Sequence, residues 1–303
     1  MYELKHQALL WAQEVLGLSK GSINVDELED SSLGLHNKNY RFSFDGHDYF
    51  LRIPYSCIKA KAGALPQHFQ AEKCALERAR SENLEPSFIA IDTNKGFKLG
   101  YFLPELHQMN YHDDEACTKA ISALIQIHSW DFKKKYKHFN VFDILTKFYK
   151  ELDEQAAGRF DVELYRKLKH INESLERAQL SDRFCHNDFY APNILCKSKG
   201  QIFVVDWEFA AFGNPLFDLA NFFASSKMSF NRIAKFSKLY YSQSKIKEEL
   251  SDGFEQFHHL VIHAMVLSCA LWILWAQHAC DSDTLREYKR LWETNLERFL
   301  PLV

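Results

Sequence analysis

The sequence predicts an α+β fold in two lobes: a small N-terminal lobe of antiparallel sheet plus one helix, and a larger, mainly helical C-terminal lobe. Three observations carry that expectation. Tyr40–Phe44 and Tyr49–Ile53 are aromatic-rich runs of alternating polarity around the turn Asp45-Gly46-His47-Asp48, the pattern of a β-hairpin. From Glu115 onward, apolar residues recur at three- and four-residue intervals, the helical period. The chain has 303 residues, 47% of them apolar and 15% aromatic, which suffices for one large core or two lobes.

Each element follows in order. Met1–Trp11 alternates charged and apolar residues at helical spacing and lacks the uninterrupted apolar run of a signal peptide, so an amphipathic first helix is expected. After the hairpin comes a helix from about His68 to Arg80, then strands Phe88–Asp92 and Phe97–Phe102 joined by the turn Asn94-Lys95-Gly96. Periodicity predicts helices over Glu115–Trp130, Val141–Gln155 and Asp161–Ala178. A loop and hairpin interrupt this series, with Ile194-Leu195 and Ile202–Val205 flanking the turn Lys197–Gly200, and helices resume from Phe217 to the end. Leu260–Ala276 is apolar, but it is short for a membrane span and carries His263 and Ser268, so it reads as a buried helix and no membrane insertion is expected.

Charge and cysteine content narrow the function. A formal charge of −3 and a pI near 6.5 show no basic excess, so a small molecule is a better partner than nucleic acid or an anionic membrane. Seven cysteines without a Cys-x-x-Cys pair argue against a disulfide framework and a structural zinc, which suggests reduced thiols and a cytoplasmic location. A homodimer is left open.

The chemistry concentrates between Phe184 and Glu208. Asp188 precedes Asn193 by five residues, and the apolar run Ile202–Val205 then delivers Asp206. Hard oxygen ligands and a carboxylate base gathered at one loop end suit phosphoryl transfer from Mg-ATP. Asp188 is the candidate base that accepts and aims the substrate hydroxyl, and Asn193 and Asp206 are the candidate Mg²⁺ ligands. A carboxylate ending an apolar strand is costly without a counter-ion, which favours Asp206 in that role. His186, beside Asp188 in the same loop, is expected to hold it by bonding backbone near the Asp206 turn, and Cys185 is expected in the core.

His186-Asn187-Asp188, Asn193-Ile194-Leu195, Asp206-Trp207-Glu208 and Gly213–Ala220 together resemble the choline/ethanolamine kinase and aminoglycoside phosphotransferase superfamily, relatives of the protein kinases. The resemblance is specific from Phe184 to Phe223 and supportive elsewhere. It implies a protein-kinase-like arrangement, with residues 1–103 as the nucleotide-binding lobe, 104–107 as a hinge and 108–303 as the catalytic lobe. Leu103 and Glu105 would then lie where backbone groups hold the adenine. The run Gly34–Tyr40, with Asn37 and Asn39, resembles the loop that covers the phosphates. Arg52 stands where protein kinases place a phosphate-pairing lysine, with Glu72 as its expected partner and Glu77 as the alternative; a guanidinium can pair with phosphate bidentately. Asp218 resembles the aspartate that braces the catalytic loop.

The acceptor expectation also follows from the resemblance. Trp272 and Trp275, three positions apart, share a helix face and resemble the Trp-x-x-Trp pair that lines the trimethylammonium pocket of choline kinases. Tyr190, Trp207, Phe209 and Trp292 would complete the cage, while Glu208 would contact the metal through water, face the acceptor, or be a plain surface acid. The departure is Ala224-Ser225-Ser226, where many eukaryotic choline kinases carry an acid and a tryptophan. The expected activity is Mg-ATP-dependent phosphorylation of a cationic amino alcohol, choline first. Ethanolamine or thiamine, an aminoglycoside antibiotic, and a nucleotide-binding pseudokinase are the alternatives.

Overall fold

The computed structural model describes residues 2–31, 37–54, 65–133, 136, 138–152, 160–197, 200–277 and 282–303. Among these, five strands form one antiparallel sheet in the order β1-β2-β3-β5-β4: Glu29–Asp30 (β1), Lys38–Phe44 (β2), His47–Ile53 (β3), Phe88–Ile91 (β4) and Lys98–Tyr101 (β5). Asp45 and Gly46, at φ of 49° and 74°, make the two-residue turn that pairs Phe44 with His47. Left-handed backbone at both positions matches the twist of the flanking strands.

Alternation then divides the sheet into two faces. Tyr40, Phe42, Tyr49, Leu51 and Leu99 bury one face against Ala8, Leu9 and Ala12 of the first helix, Tyr2–Val15 (α1). The opposite face carries a polar rung, because Asn39 pairs with Arg52 and Arg52 with Lys98 across three strands. Helix Phe69–Ser81 (α2) turns Ala75, Leu76 and Ala79 into the larger core, together with Phe88 and Ile91. Apolar packing is thus continuous from the small lobe into the large one.

The large lobe is mainly helical: Asp114–His128 (α3), Val141–Lys150 (α4), Val162–Arg177 (α5), Leu216–Ala224 (α6), Phe230–Gln243 (α7), Gly253–Ala276 (α8) and Asp283–Phe299 (α9). Asp113, Asn140, Asp161 and Ser282 cap four of these helices, each accepting first-turn N–H groups. Val141–Lys150 ends before the expected Gln155, which lies outside the described residues. Helix α8 begins seven residues earlier than the apolar run suggested, and by length and composition it could cross a membrane. It is instead the core of this lobe, with 89% of its apolar window buried among its neighbours.

Short ladders position the site, among them the hairpin expected across the turn Lys197–Gly200. Arg183–Cys185 (β7) pairs with Ala211–Gly213 (β10), while Ile194–Cys196 (β8) pairs with His107–Gln108 (β6) and Ile202–Val204 (β9). The strands at 107–108, 183–185 and 211–213 are too short to show a period in the sequence, yet these ladders bring loop 186–193 beside turn 205–210.

Candidate active site

Asp218, fully buried on α6, organises the catalytic loop from beneath. Its Oδ1 accepts the Asn187 N–H at 2.6 Å, and its Oδ2 accepts the His186 N–H at 2.7 Å and His128 Nε2 at 3.0 Å. Burial lowers the His128 pKa, so a neutral ring donates through Nε2 while Nδ1 accepts the Tyr240 hydroxyl at 2.6 Å. Asn187 takes a left-handed φ of 63° and donates from its amide to the Phe209 carbonyl at 2.9 Å. Asn tolerates that conformation better than most residues.

His186 is equally internal. Its Nδ1 accepts the Asp188 N–H at 3.3 Å, which leaves Nε2–H to donate to the Val205 carbonyl at 2.9 Å, and burial keeps the ring neutral by lowering its pKa. Its partners are backbone groups of the two loops, so it ties the Asp188 loop to the Asp206 turn and does not stand at the reacting atoms. Asn193 holds Asp188 from the other side, donating from Nδ2 to Asp188 Oδ2 at 2.7 Å and to its carbonyl at 3.0 Å. Val205 N–H closes the turn on the Asn193 carbonyl at 2.9 Å.

Asp206, at φ 63°, projects into the cleft, with Oδ1 3.8 Å from Arg52 Nη1. Arg52 in turn makes a bidentate pair with Glu72 at 2.6 and 2.8 Å and reaches the Gly96 carbonyl at 3.1 Å, while Lys98 Nζ lies 3.7 Å from Glu72. Burial by itself would lower the Arg52 pKa, but Glu72 first, then Glu208 and Asp206, hold it above its ordinary value. Glu77 faces Lys73 on the exposed side of α2, so Glu72 is the partner.

The carboxylates at the loop end are in the opposite condition. Burial, then repulsion from Asp206 and Glu208, pushes Asp188 well above the usual carboxylate range, and the Asn193 bond only partly offsets this. Glu208 is pushed up to about 8 by burial and by Asp206, against the pull of Arg52 and Asn37. With 2% exposure, Glu208 is not the surface acid the sequence allowed: its Oε2 accepts Asn37 Nδ2 at 2.8 Å and Gln67 Nε2 at 2.5 Å. Such an excess of buried negative charge calls for a cation. The donor set suits Mg²⁺, since Asp206 offers a carboxylate and Asn193, with Nδ2 committed to Asp188, offers Oδ1.

Two cavities meet at this point. One, of about 400 Å³, is lined by Asn37, Asp188, Tyr190, Glu208, Phe209, Trp272, Trp275 and Trp292, with Asn221, Ser225 and Tyr288. The other, of about 280 Å³, is lined by Phe50, Arg52, Lys98, Leu103, Leu106 and Phe203. Asn39, Asn193, Leu195, Val205 and Asp206 belong to both. The first has a continuous aromatic wall: Tyr190 lies against Tyr288, Tyr288 stacks on Trp292, Trp292 on Trp272, and Trp272 meets Trp275 edge to face at 5.6 Å.

One expectation needs correction. Trp207 is not part of the cage. The left-handed turn at Asp206 sends the carboxylate to the cleft and the indole into the core, where it stacks on Trp130 at 5.4 Å and donates to the Val204 carbonyl. Glu105 is expected to act through its backbone alone; its side chain turns outward to Lys197 at 3.2 Å, and Leu103 lines the second cavity. Gly34–His36 of the expected phosphate-covering loop lie outside the described residues.

Several neighbours escaped the sequence reading. Tyr288 precedes Trp292 by one helical turn, so the i,i+4 rule could have found it. Asn221 and Ser225 anchor the indoles: Asn221 Oδ1 accepts Trp272 Nε1 at 2.7 Å, and Ser225 Oγ accepts Trp292 Nε1 at 3.2 Å. Lys98 and Gln67 had no local signal.

Comparison with known proteins is consistent with this geometry. Residues 28–235 match the sequence model of the phosphotransferase enzyme family. LicA of Haemophilus influenzae is 24% identical over 254 residues, 80% of this chain and 71% of that protein. The structure of choline kinase LicA from Streptococcus pneumoniae superposes with a TM-score of 0.69 at 16% identity, covering 97% of this chain and 100% of that one. A LicA complex with AMP gives 0.71 at 18%, covering 97% and 99%. These structural likenesses establish the α+β, protein-kinase-like fold.

Proposed function

The chain belongs to the phosphotransferase enzyme family, and from that premise we propose that it is an Mg-ATP-dependent kinase acting on the hydroxyl of a small cationic amino alcohol, choline first. One observation carries the reading: an aromatic-walled cavity with Asp188 at its edge meets a second, Arg52-lined cavity at Asn193 and Asp206. The acceptor fills the first cavity and the nucleotide the second, so their reacting ends face each other where the cavities join.

Asp188 receives the acceptor hydroxyl as a hydrogen-bond donor and aims its oxygen at the γ-phosphorus. As the new O–P bond forms and the bond to ADP breaks, the hydroxyl proton passes to a carboxylate oxygen of Asp188. Burial and the neighbouring acids raise its pKa, which favours its taking the proton. Asn193 keeps that carboxylate in place, and the Asp218 and His186 bonds keep the loop in place beneath it. Asn193 and Asp206 would hold Mg²⁺, which when bound neutralises phosphate charge. Arg52, already oriented by Glu72, presents positive charge on the nucleotide side.

The wall formed by Tyr190, Tyr288, Trp292, Trp272 and Trp275 attracts a quaternary ammonium by roughly 0.5–2 kcal/mol per well-placed ring. Asp188 and Asp206, which line the same cavity, supply the negative charge that Ala224-Ser225-Ser226 lacks. Ethanolamine is the second reading, favoured by the Ser225 hydroxyl, which can accept from a primary ammonium and has no such use for a quaternary one. ADP release from Mg-ATP against choline, ethanolamine, thiamine and kanamycin tests the assignment. Choline-dependent turnover is expected; turnover with kanamycin alone would discard the amino-alcohol pocket.

A further inference from the structure

We propose that Glu208 is a positioning residue that clasps the small lobe onto the loop end, and that its partners are Asn37 and Gln67, neither metal nor acceptor. Its Oε2 accepts both amides, at 2.8 and 2.5 Å, from residues 171 and 141 positions away in sequence. Asn37 leads into β2, whose next rung aligns Asn39 with Arg52. Gln67 stands two residues before α2, the helix that carries Glu72. One carboxylate therefore gathers the entry to β2, the start of α2 and the turn bearing Asp206.

The arrangement has a physical logic. A carboxyl group with 2% exposure needs hydrogen-bond partners, and a buried acceptor left without them is costly. Both donors come from the small lobe and both converge on the same oxygen, so the bonds form only when the small-lobe segments lie over the turn. Closing them brings the paired Arg52 and Asp206 into one cleft and walls the acceptor cavity with Asn37. An acid two positions after a candidate metal ligand invites assignment as a second ligand, but Oε2 is committed to the two amides, which leaves only Oε1 for any further contact.

The activity part of the test rests on the amino-alcohol kinase reading; amide hydrogen exchange does not, because it is measured without acceptor. Gln67→Glu, which removes a donor and sets two acids face to face, is expected to raise KM for Mg-ATP on the order of ten-fold and to speed exchange in residues 37–44 and 65–72; Glu208→Gln, whose amide oxygen still accepts, should act in the same direction by less. Gln67→Ala should act in the same direction. Combining Glu208→Gln with Gln67→Glu exchanges donor and acceptor across the contact, and this double variant should recover both properties, with the Mg²⁺ concentration for half-maximal turnover unchanged throughout. A double variant no better than the worse single one overturns the clasp. So does Glu208→Gln shifting only the Mg²⁺ dependence, the mark of a metal ligand, or only KM for choline, the mark of a cation partner. If none of the alcohols is phosphorylated while exchange responds as described, the function fails and the clasp stands.

Discussion

Two clusters of ionised groups lie about the same cleft in opposite states of balance. Around Arg52, charge is compensated within the protein: Glu72 binds it bidentately, Lys98 adds a second cation, and the pair has 2% and 0% side-chain exposure. Around Asp188, three acids face one another with Asn193, Asn37 and Gln67 as neutral donors, and Asp188 and Glu208 are both held above their ordinary pKa. The first cluster is complete as folded and serves stability and orientation. The second is complete only when cations arrive, as expected of a binding and catalytic site. Removing one member should therefore damage different properties in the two places.

The largest effect should follow Asp188→Asn, with turnover falling on the order of 10²–10⁴-fold. Stability in urea should hold or rise, since the amide ends repulsion with Asp206 and Glu208; a marked loss of stability would make Asp188 a structural residue and break the contrast. Glu72→Ala should do the reverse, leaving Arg52 buried without its partner at a cost of about 3–5 kcal/mol in unfolding free energy. Denaturant titration reads this directly, and a change below about 1 kcal/mol, the level of an exposed pair, would show that the pair is not dry.

A third test concerns buried histidines, where charge is avoided instead of compensated. His263 is held at about 4 by burial, then by His259 and Arg177, while burial also lowers His128 and His186. The unfolded chain binds these protons near pH 6.5 and the folded one does so only at lower pH, so their contribution is present above pH 6.5 and lost as pH falls. For His263 the window runs from 6.5 to about 4, worth on the order of 1–3 kcal/mol after allowance for its partial burial. Thermal unfolding of wild type and His263→Gln at pH 7 and 5 should show a smaller pH difference in the variant. The smallest effect is expected at the aromatic wall, where Trp272→Leu should raise KM for choline roughly two- to thirty-fold with kcat little changed. Trp207→Leu should instead lower stability, in keeping with its place against Trp130.

The residues legible from sequence were those whose surroundings are local or whose spacing is imposed by backbone geometry. The hairpin at Asp45-Gly46 follows from two left-handed positions between alternating strands. Asp188 and Asn193 meet because five residues span one tight loop, and Glu72 faces Arg52 because the helix presents it inward while Glu77 points out. Trp272 and Trp275 share a face by helical period alone. The orientation of Trp207 was not legible, because a single left-handed residue, Asp206, reverses which of two adjacent side chains enters the core. The outward turn of the Glu105 side chain was not legible either, because a hinge position specifies backbone and leaves the side chain to find Lys197.

What the sequence determined by itself was the small-lobe hairpin, the order of the main helices, the Asp188–Asn193 spacing and the aromatic helix face, all consequences of periodicity and short-range spacing. Tertiary structure alone decided that Glu208 binds Asn37 and Gln67, that Lys98 joins Arg52 and that Tyr288 completes the wall. Each of those outcomes depends on which segments distant in sequence share one low-dielectric interior, and that is settled by packing the whole chain.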